Sequence, residues 1–202
     1  MPVSLNQSPD HGFDAPMGLL SDCHRRIERF LAAQLEVVRT GRGEPLDARQ
    51  REALEKSLRY FKNAAPWHTA DEEDSLFPRL RQSSDPQVQA ALAQMDRLEA
   101  DHRVADALHR ETEQLLQRWL DDDRLPSDDV QRLLDRLETL QGMYREHIAL
   151  EDNVLFPLAT QVLPADQVNA MGREMAARRG VDADRPEPRC KHARQKREAD
   201  AD

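Results

Sequence analysis

Two stretches of this chain, HTADEEDSLFP at residues 68–78 and HIALEDNVLFP at residues 147–157, repeat one pattern. Both follow H-x-A-x-E-x-x-x-L-F-P, and they begin 79 residues apart. A histidine and a glutamate four residues apart lie on one face of an α-helix, about one turn from each other. The repeat therefore predicts two equivalent helices, each of which points an imidazole and a carboxylate toward one centre.

A second pair of matched histidines precedes these stretches. His24 lies in the sequence DCHR and His102 in ADHR, and the two are 78 residues apart. Each half of the chain thus supplies a lone histidine and then an H-x-x-x-E motif. The sequence is typical of a doubled helix pair.

Apolar residues recur every three or four positions in four long runs, at residues 17–38, 54–76, 88–119 and 130–158. Pro66 lies within the second run and predicts a kink or a restart of that helix. Asp85 and Pro86 predict the start of the third helix, as its N-cap and first residue. A short fifth helix is expected over about residues 164–177. Short breaks between long amphipathic runs predict an all-α, up-down-up-down four-helix bundle.

The ends of the chain differ in composition from this helical region. Residues 1–14 are polar with two prolines, and residues 179–202 are charged with almost nothing apolar, so neither can bury much surface. We therefore expect a flexible leader at 1–14, one helical domain at 15–178 and a disordered tail at 179–202.

Charge and cysteine usage restrict the partners and the compartment. The net charge of −9 argues against binding to nucleic acid or to an anionic membrane. No segment has the features of a signal peptide or a membrane span. Cys23 and Cys190 lie far apart and predict no disulfide framework, which favours a reducing cytoplasm. Cys190 and His192 resemble half of a metal clip, but they have no partner motif.

The faces of the four helices that are predicted to be buried carry an unusual number of histidines and glutamates. Buried carboxylates need compensation, because an unpaired buried charge costs several kcal/mol or more. Metal ions would supply it: two carboxylates can bridge two cations, and two imidazoles can cap each one. Such mixed ligation suits iron, manganese or zinc. The predicted metal ligands are His24, His68, Glu72, His102, His147 and Glu151.

The order H, H-x-x-x-E, H, H-x-x-x-E, with L-F-P after each glutamate, resembles the hemerythrin HHE cation-binding family over about residues 16–160. This resemblance implies a four-helix bundle with two iron ions, bridged by carboxylates and by an oxo or hydroxo group and held by the same six residues. It also implies a small diatomic ligand or peroxide as the partner. Members of the family bind or react with oxygen, nitric oxide or peroxide; some sense iron or oxygen, and some are linked to iron–sulfur repair.

The chain departs from the oxygen carriers of that family at two positions. The carriers have H-x-x-x-H on the third helix, where this chain has Asp106 four residues after His102. They have H-x-x-x-x-D on the fourth helix, whereas Glu151 comes one residue earlier. One protein ligand fewer leaves open metal positions, so the resemblance favours the sensor and iron–sulfur repair branch.

Several neighbouring residues have two interpretations. Glu28 and Asp106 are expected at the surface, and the alternative is a hydrogen bond to a ligand imidazole. Glu73, Asp71 and Asp74 are expected to be surface charges.

The aromatic residues and prolines near the motifs are expected to shape the core. Tyr144, Phe77 and Phe156 are interpreted as packing residues, although Tyr144 could donate to a bound oxygen species and the phenylalanines could wall the site. Pro78 and Pro157 predict a distortion of the helix just past the ligands.

Three hypotheses for function follow. The first is a cytoplasmic di-iron protein that engages oxygen, nitric oxide or peroxide in sensing, stress response or iron homeostasis, as a monomer or a homodimer. The second is an enzyme that removes peroxide or oxidises iron, although no separate acid–base or nucleophile set accompanies the motif. The third is an iron-binding structural or interaction module that a partner protein reads.

Overall fold

The computed structural model of the chain describes residues 10–182, which contain α-helices and no β-strand. Two five-residue π-helical turns, Glu72–Leu76 and Glu151–Leu155, interrupt them. The predicted all-α class and the short C-terminal helix are both confirmed. The α-helices are α1 Pro16–Gly41, α2 Ala48–Asn63, α3 Ala65–Asp71, α4 Phe77–Arg81, α5 Pro86–Asp122, α6 Ser127–Leu150, α7 Phe156–Val162 and α8 Ala165–Arg178.

These helices form four rods. The first is α1, the second runs from α2 to α4, the third is α5 and the fourth joins α6 to α7. Helix α1 packs against α2 and α6, and α5 packs against the same two, so the rods close into a bundle. Helix α8 lies across one end, where it contacts α1, α3 and the first π turn.

The predicted helix boundaries have local causes. The Asp85 carboxylate accepts a hydrogen bond of 2.8 Å from the backbone N–H of Gln87 and caps α5. The second rod breaks at Ala64, two residues before Pro66, and restarts as α3. Helix α1 ends at Gly41, and its C-cap Arg42 takes a left-handed φ of 51°. Gly43 follows with a φ of 80°, a conformation that favours glycine. A side chain there would also collide with the carbonyl of Leu125.

Each L-F-P sequence follows a π turn. The N–H of Phe77 bonds to the carbonyl of Glu72, five residues back, and the N–H of Phe156 bonds in the same way to Glu151. The next residue in each case is a proline, which has no N–H and clashes with the carbonyl four residues back in a regular helix. The wider π turn relieves that clash, so the expected distortion takes this form.

A polar layer divides the bundle core. One apolar cluster, which includes Leu35, Leu54 and Trp119, fills the end where α1 finishes and α6 starts. A second cluster, which includes Leu20 and Met95, fills the opposite end beneath α8. Within residues 10–182, no helix is long and apolar enough to cross a membrane.

The described residues include parts of both predicted flexible segments. The backbone N–H of His11 donates to Asp22 at 2.8 Å, and Arg179 donates to Asp71 at 2.6 Å. The flexible leader and the disordered tail remain predictions, and Cys190 and His192 lie outside the described residues.

Candidate metal centre

All six predicted ligands meet in the polar layer between the two apolar clusters. They form two groups of four that share Glu72 and Glu151, one with His24 and His68 and the other with His102 and His147. Within each group, one nitrogen or oxygen atom per residue lies within 4.8 Å of the others. Both glutamates are fully buried. The described part of the chain therefore brings together the whole predicted set, in an arrangement that could hold metal ions.

Glu72 faces both groups with different oxygens. Its Oε1 lies 3.3 Å from Nε2 of His68 and 3.8 Å from Nε2 of His24. Its Oε2 lies 3.4 Å from Nε2 of His102. A carboxylate that turns one oxygen to each group has the orientation of a bridge between two cations.

Glu151 completes the layer from the fourth rod. Its Oε2 lies 3.0 Å from Nε2 of His24 and 3.2 Å from Nε2 of His147. The Nε2 atoms of His102 and His147 are 3.1 Å apart. Two ligands of one cation, each at about 2.0–2.1 Å, stand about 3.0–3.4 Å from each other, so these separations match joint ligation.

Buried polar atoms without hydrogen bonds also indicate a metal site. Both carboxylate oxygens of Glu72 and of Glu151 are buried without a hydrogen-bond partner, as is Nε2 of His24. Native proteins rarely leave buried polar atoms in this state, because each costs about 1–3 kcal/mol. These nitrogen and oxygen atoms lie close together but are not aligned for hydrogen bonds with one another. Metal ligands that point at a common cation have this arrangement. The residues present thus fit a pair of cations.

The carboxylates set the pKa values of the imidazoles. Burial would lower the pKa of His102, but the contacts with Glu72 and Glu73 outweigh it and raise the value to about 9. For His68, burial outweighs the attraction of Glu72 and lowers the pKa to about 4. Burial would raise the pKa of Glu72, yet the imidazoles of His68, His102 and His24 hold it well below its usual range.

Each lone histidine contacts an acidic residue from the other half of the sequence repeat. Asp152, in the second half, lies 3.0 Å from Nδ1 of His24 in the first half. Glu73, in the first half, lies 2.7 Å from Nδ1 of His102 in the second. Burial would lower the pKa of His24, but the hydrogen bond that it donates to Asp152 and the nearby carboxylates of Glu151 and Glu72 raise the pKa well above its ordinary value.

The Glu73 side chain is 35% exposed, in keeping with a surface charge, but sequence reasoning missed its contact with His102 and missed Asp152. A signal was present: in both repeats an acidic residue directly follows the ligand glutamate.

Asp71 corrects an expectation. It was expected at the surface, but it is fully buried, and its carboxylate accepts hydrogen bonds from Arg178 at 2.9 Å and Arg179 at 2.6 Å. Burial raises the pKa of Asp71 even against these two guanidiniums. Ser75 bonds to Arg178 and to Glu174, so the end of α8 is tied to α3 and the first π turn, which carry His68 and Glu72.

Other neighbours lie where the sequence suggested. Glu28 is exposed, and the Asp106 side chain is 67% exposed in an ion pair with Arg110. Phe77 and Phe156 are buried, and each also lies parallel to the lone histidine of the other half. The ring centroids are 6.5 Å apart for Phe77 and His102, and 5.3 Å apart for Phe156 and His24.

A cavity of about 190 Å³ adjoins the four imidazoles. Its other walls are mostly apolar, and they also include Tyr144 and His109. The Tyr144 hydroxyl lies 3.1 Å from Nε2 of His109. Burial raises the pKa of Tyr144, so its hydroxyl keeps its proton, and burial lowers the pKa of His109 to about 4. The cavity thus offers a small ligand a mostly apolar space, with the Tyr144–His109 pair, Thr69 and Asp106 as its polar groups beside the four imidazoles.

Comparison with known proteins gives a family match. Residues 16–159 match the family described as "Hemerythrin HHE cation binding domain". The chain is also 33% identical over 174 residues to an uncharacterized protein of Haemophilus influenzae, an alignment that covers 84% of this chain and 92% of that protein. The duplicated motif, the helical bundle and the six converging side chains agree with this match. This chain therefore belongs to the hemerythrin HHE cation-binding domain family.

Proposed function

We propose that this chain is a non-haem di-iron protein that binds or reacts with oxygen, nitric oxide or peroxide. Its role would be in cytoplasmic sensing, in the response to oxidative or nitrosative stress, or in iron homeostasis. The observation that carries the proposal is the pair of overlapping ligand groups that share Glu72 and Glu151. Each group offers two imidazoles and shared carboxylates, a donor set that suits non-haem iron with positions left open.

The chain's own residues prepare the site for a small ligand. Glu73 and Asp152 accept the Nδ1 protons of His102 and His24, which keeps the Nε2 lone pairs directed inward. Bound iron would supply the electrons that binding or reduction of these ligands requires. The walls of the cavity are mostly apolar, and Tyr144 is one of them. When Nε2–H of His109 donates to the Tyr144 oxygen, the hydroxyl proton of Tyr144 is available for a hydrogen bond to a ligand.

The first test is the metal content and near-ultraviolet absorption of the full chain after aerobic purification. We expect about two irons per chain, with charge-transfer bands of a bridged ferric pair. A variant with both His68→Ala and His147→Ala should lose the metal and the bands. His109→Ala is the matched control, because His109 lies by the same cavity but outside both ligand groups. Metal that survives the double substitution would refute the proposed site.

The second test separates the kinds of function. The reduced protein is mixed anaerobically with nitric oxide, and separately with oxygen or peroxide, while its spectrum is followed. A stoichiometric spectral change without turnover supports a binding or sensing role, and sustained turnover supports an enzyme. Iron that stays inert to all three molecules, in a protein that unfolds on chelation, would instead indicate a structural module.

A further inference from the structure

The two ligand groups are related by the sequence repeat, but their outer surroundings differ at one imidazole. His147 has its Nδ1 atom 3.5 Å from a carboxylate oxygen of Asp101. His68 is its counterpart in the first half, and its Nδ1 atom is buried without any hydrogen-bond partner. Asp101 directly precedes one lone histidine, and the residue in the equivalent place of the other half is Cys23. A buried, uncharged thiol thus replaces an acid.

The surroundings of Cys23 do not restore the missing negative charge. A guanidinium nitrogen of Arg26 donates to its sulfur atom at 3.1 Å, and the cysteine is buried and free of any disulfide. Asp71, the nearby acid, is already paired with Arg178 and Arg179.

Asp101, beside His147, is only weakly paired with an arginine. Its side chain is 22% exposed, and the nearest arginine, Arg97, is 3.9 Å from it and also pairs with Glu146 at 2.9 Å.

We infer that the two cation positions differ in affinity, and that the position of His102 and His147 binds a divalent cation more tightly than the position of His24 and His68. This inference rests on the proposed metal centre. A carboxylate on the outer nitrogen of an imidazole ligand fixes its tautomer and its direction and raises its basicity. Loss of such a partner costs about 10–100-fold in metal affinity. The chain therefore fills one position first, and occupancy of the second depends on the cation concentration.

Titration of the metal-free full chain with Co²⁺ tests this, because the visible absorption of Co²⁺ reports its ligands. Repulsion between two cations would itself produce two steps in a symmetric site, so variants must assign the positions. His68→Ala should keep one cation at the tight affinity of the wild type. His147→Ala should keep only a cation bound about 10–100-fold more weakly. Equal affinities in the two variants, or the reverse order, would overturn the inference.

A second comparison isolates the carboxylate that carries the argument. Asp101→Asn should weaken the first binding step about tenfold and leave the second almost unchanged. The matched control is Asp96→Asn on the same helix, because the Asp96 side chain is 72% exposed and pairs only with Arg81 in the described structure. If the two variants bind Co²⁺ alike, Asp101 does not set the difference. If the wild type binds no Co²⁺ at all, the proposed metal centre itself fails.

Discussion

Replacement of Glu151 by leucine should stabilise the metal-free protein and abolish its response to metal. Glu151 is fully buried, and neither carboxylate oxygen has a hydrogen-bond partner. A buried carboxylate without a hydrogen-bond partner costs about 1–3 kcal/mol, and a leucine of similar volume removes that cost. The nearby imidazoles of His24 and His147 keep Asp152 and Asp101 as partners. We therefore expect a gain of about 1–3 kcal/mol in the free energy of unfolding.

With metal bound, we expect the wild type to be more stable than the Glu151→Leu variant. A cation that binds only the folded state adds about 2.7 kcal/mol of stability at 100 times its dissociation constant. The wild type should gain this amount at each position. The Glu151→Leu variant should gain little, because Glu151 belongs to both ligand groups.

Urea unfolding followed by circular dichroism, with chelator or with excess Co²⁺, measures both effects. The control is Glu138→Leu, because the Glu138 side chain is 53% exposed and pairs with Arg39 at the surface. That change should alter stability by no more than about 0.5 kcal/mol and leave the metal response intact. A metal-free Glu151→Leu protein that is less stable than the wild type would refute the reasoning about the unsatisfied carboxylate. An unchanged metal response would refute its role as a shared ligand.

Three further predictions concern other parts of the site. The pKa of His102 in the metal-free fold is about 9 against an ordinary 6.5, so its contribution to stability is complete below pH 6.5 and is lost as the pH rises through 9. Urea unfolding with chelator between about pH 6 and pH 10 should show this decline, and His102→Gln should flatten it. Arg179→Ala should cost about 1.5–3 kcal/mol in urea unfolding, because it removes a charge-assisted hydrogen bond from buried Asp71; no loss would mean that this bond does not hold α8. Tyr144→Phe should weaken nitric oxide binding to the reduced protein about tenfold, whereas Tyr60→Phe, which lies outside the cavity, should not; equal effects would argue against a hydrogen bond from Tyr144.

Much of the candidate site was predictable because it depends on local periodicity. A helix places residues four apart on one face whatever surrounds it, so each H-x-x-x-E motif had to present its two side chains together. Asp85 and Pro86 predicted the start of α5 for a similar reason, because capping depends only on neighbouring residues. These parts of the fold followed from spacing within one helix.

The acidic residues beside the motifs were not predictable in this way. Glu73 directly follows a ligand, so helical geometry turns it away from the centre and made a surface position the natural expectation. Its carboxylate reaches His102 only because α5 packs beside the first π turn. Asp71 is buried only because α8 folds back and brings Arg178 and Arg179 to it.

The sequence by itself determined the class of fold, the duplicated motif and the six residues that face the centre, because helical periodicity carries that information. Only the tertiary structure decided how Glu72 divides its oxygens between the two groups, and which imidazoles have a carboxylate behind them. Apart from the contact of Glu72 with His68 in its own rod, those contacts join different rods, and their distances depend on how the helices pack. The difference between His147, with Asp101 beside it, and His68, with no hydrogen-bond partner at its outer nitrogen, belongs to this second kind of information.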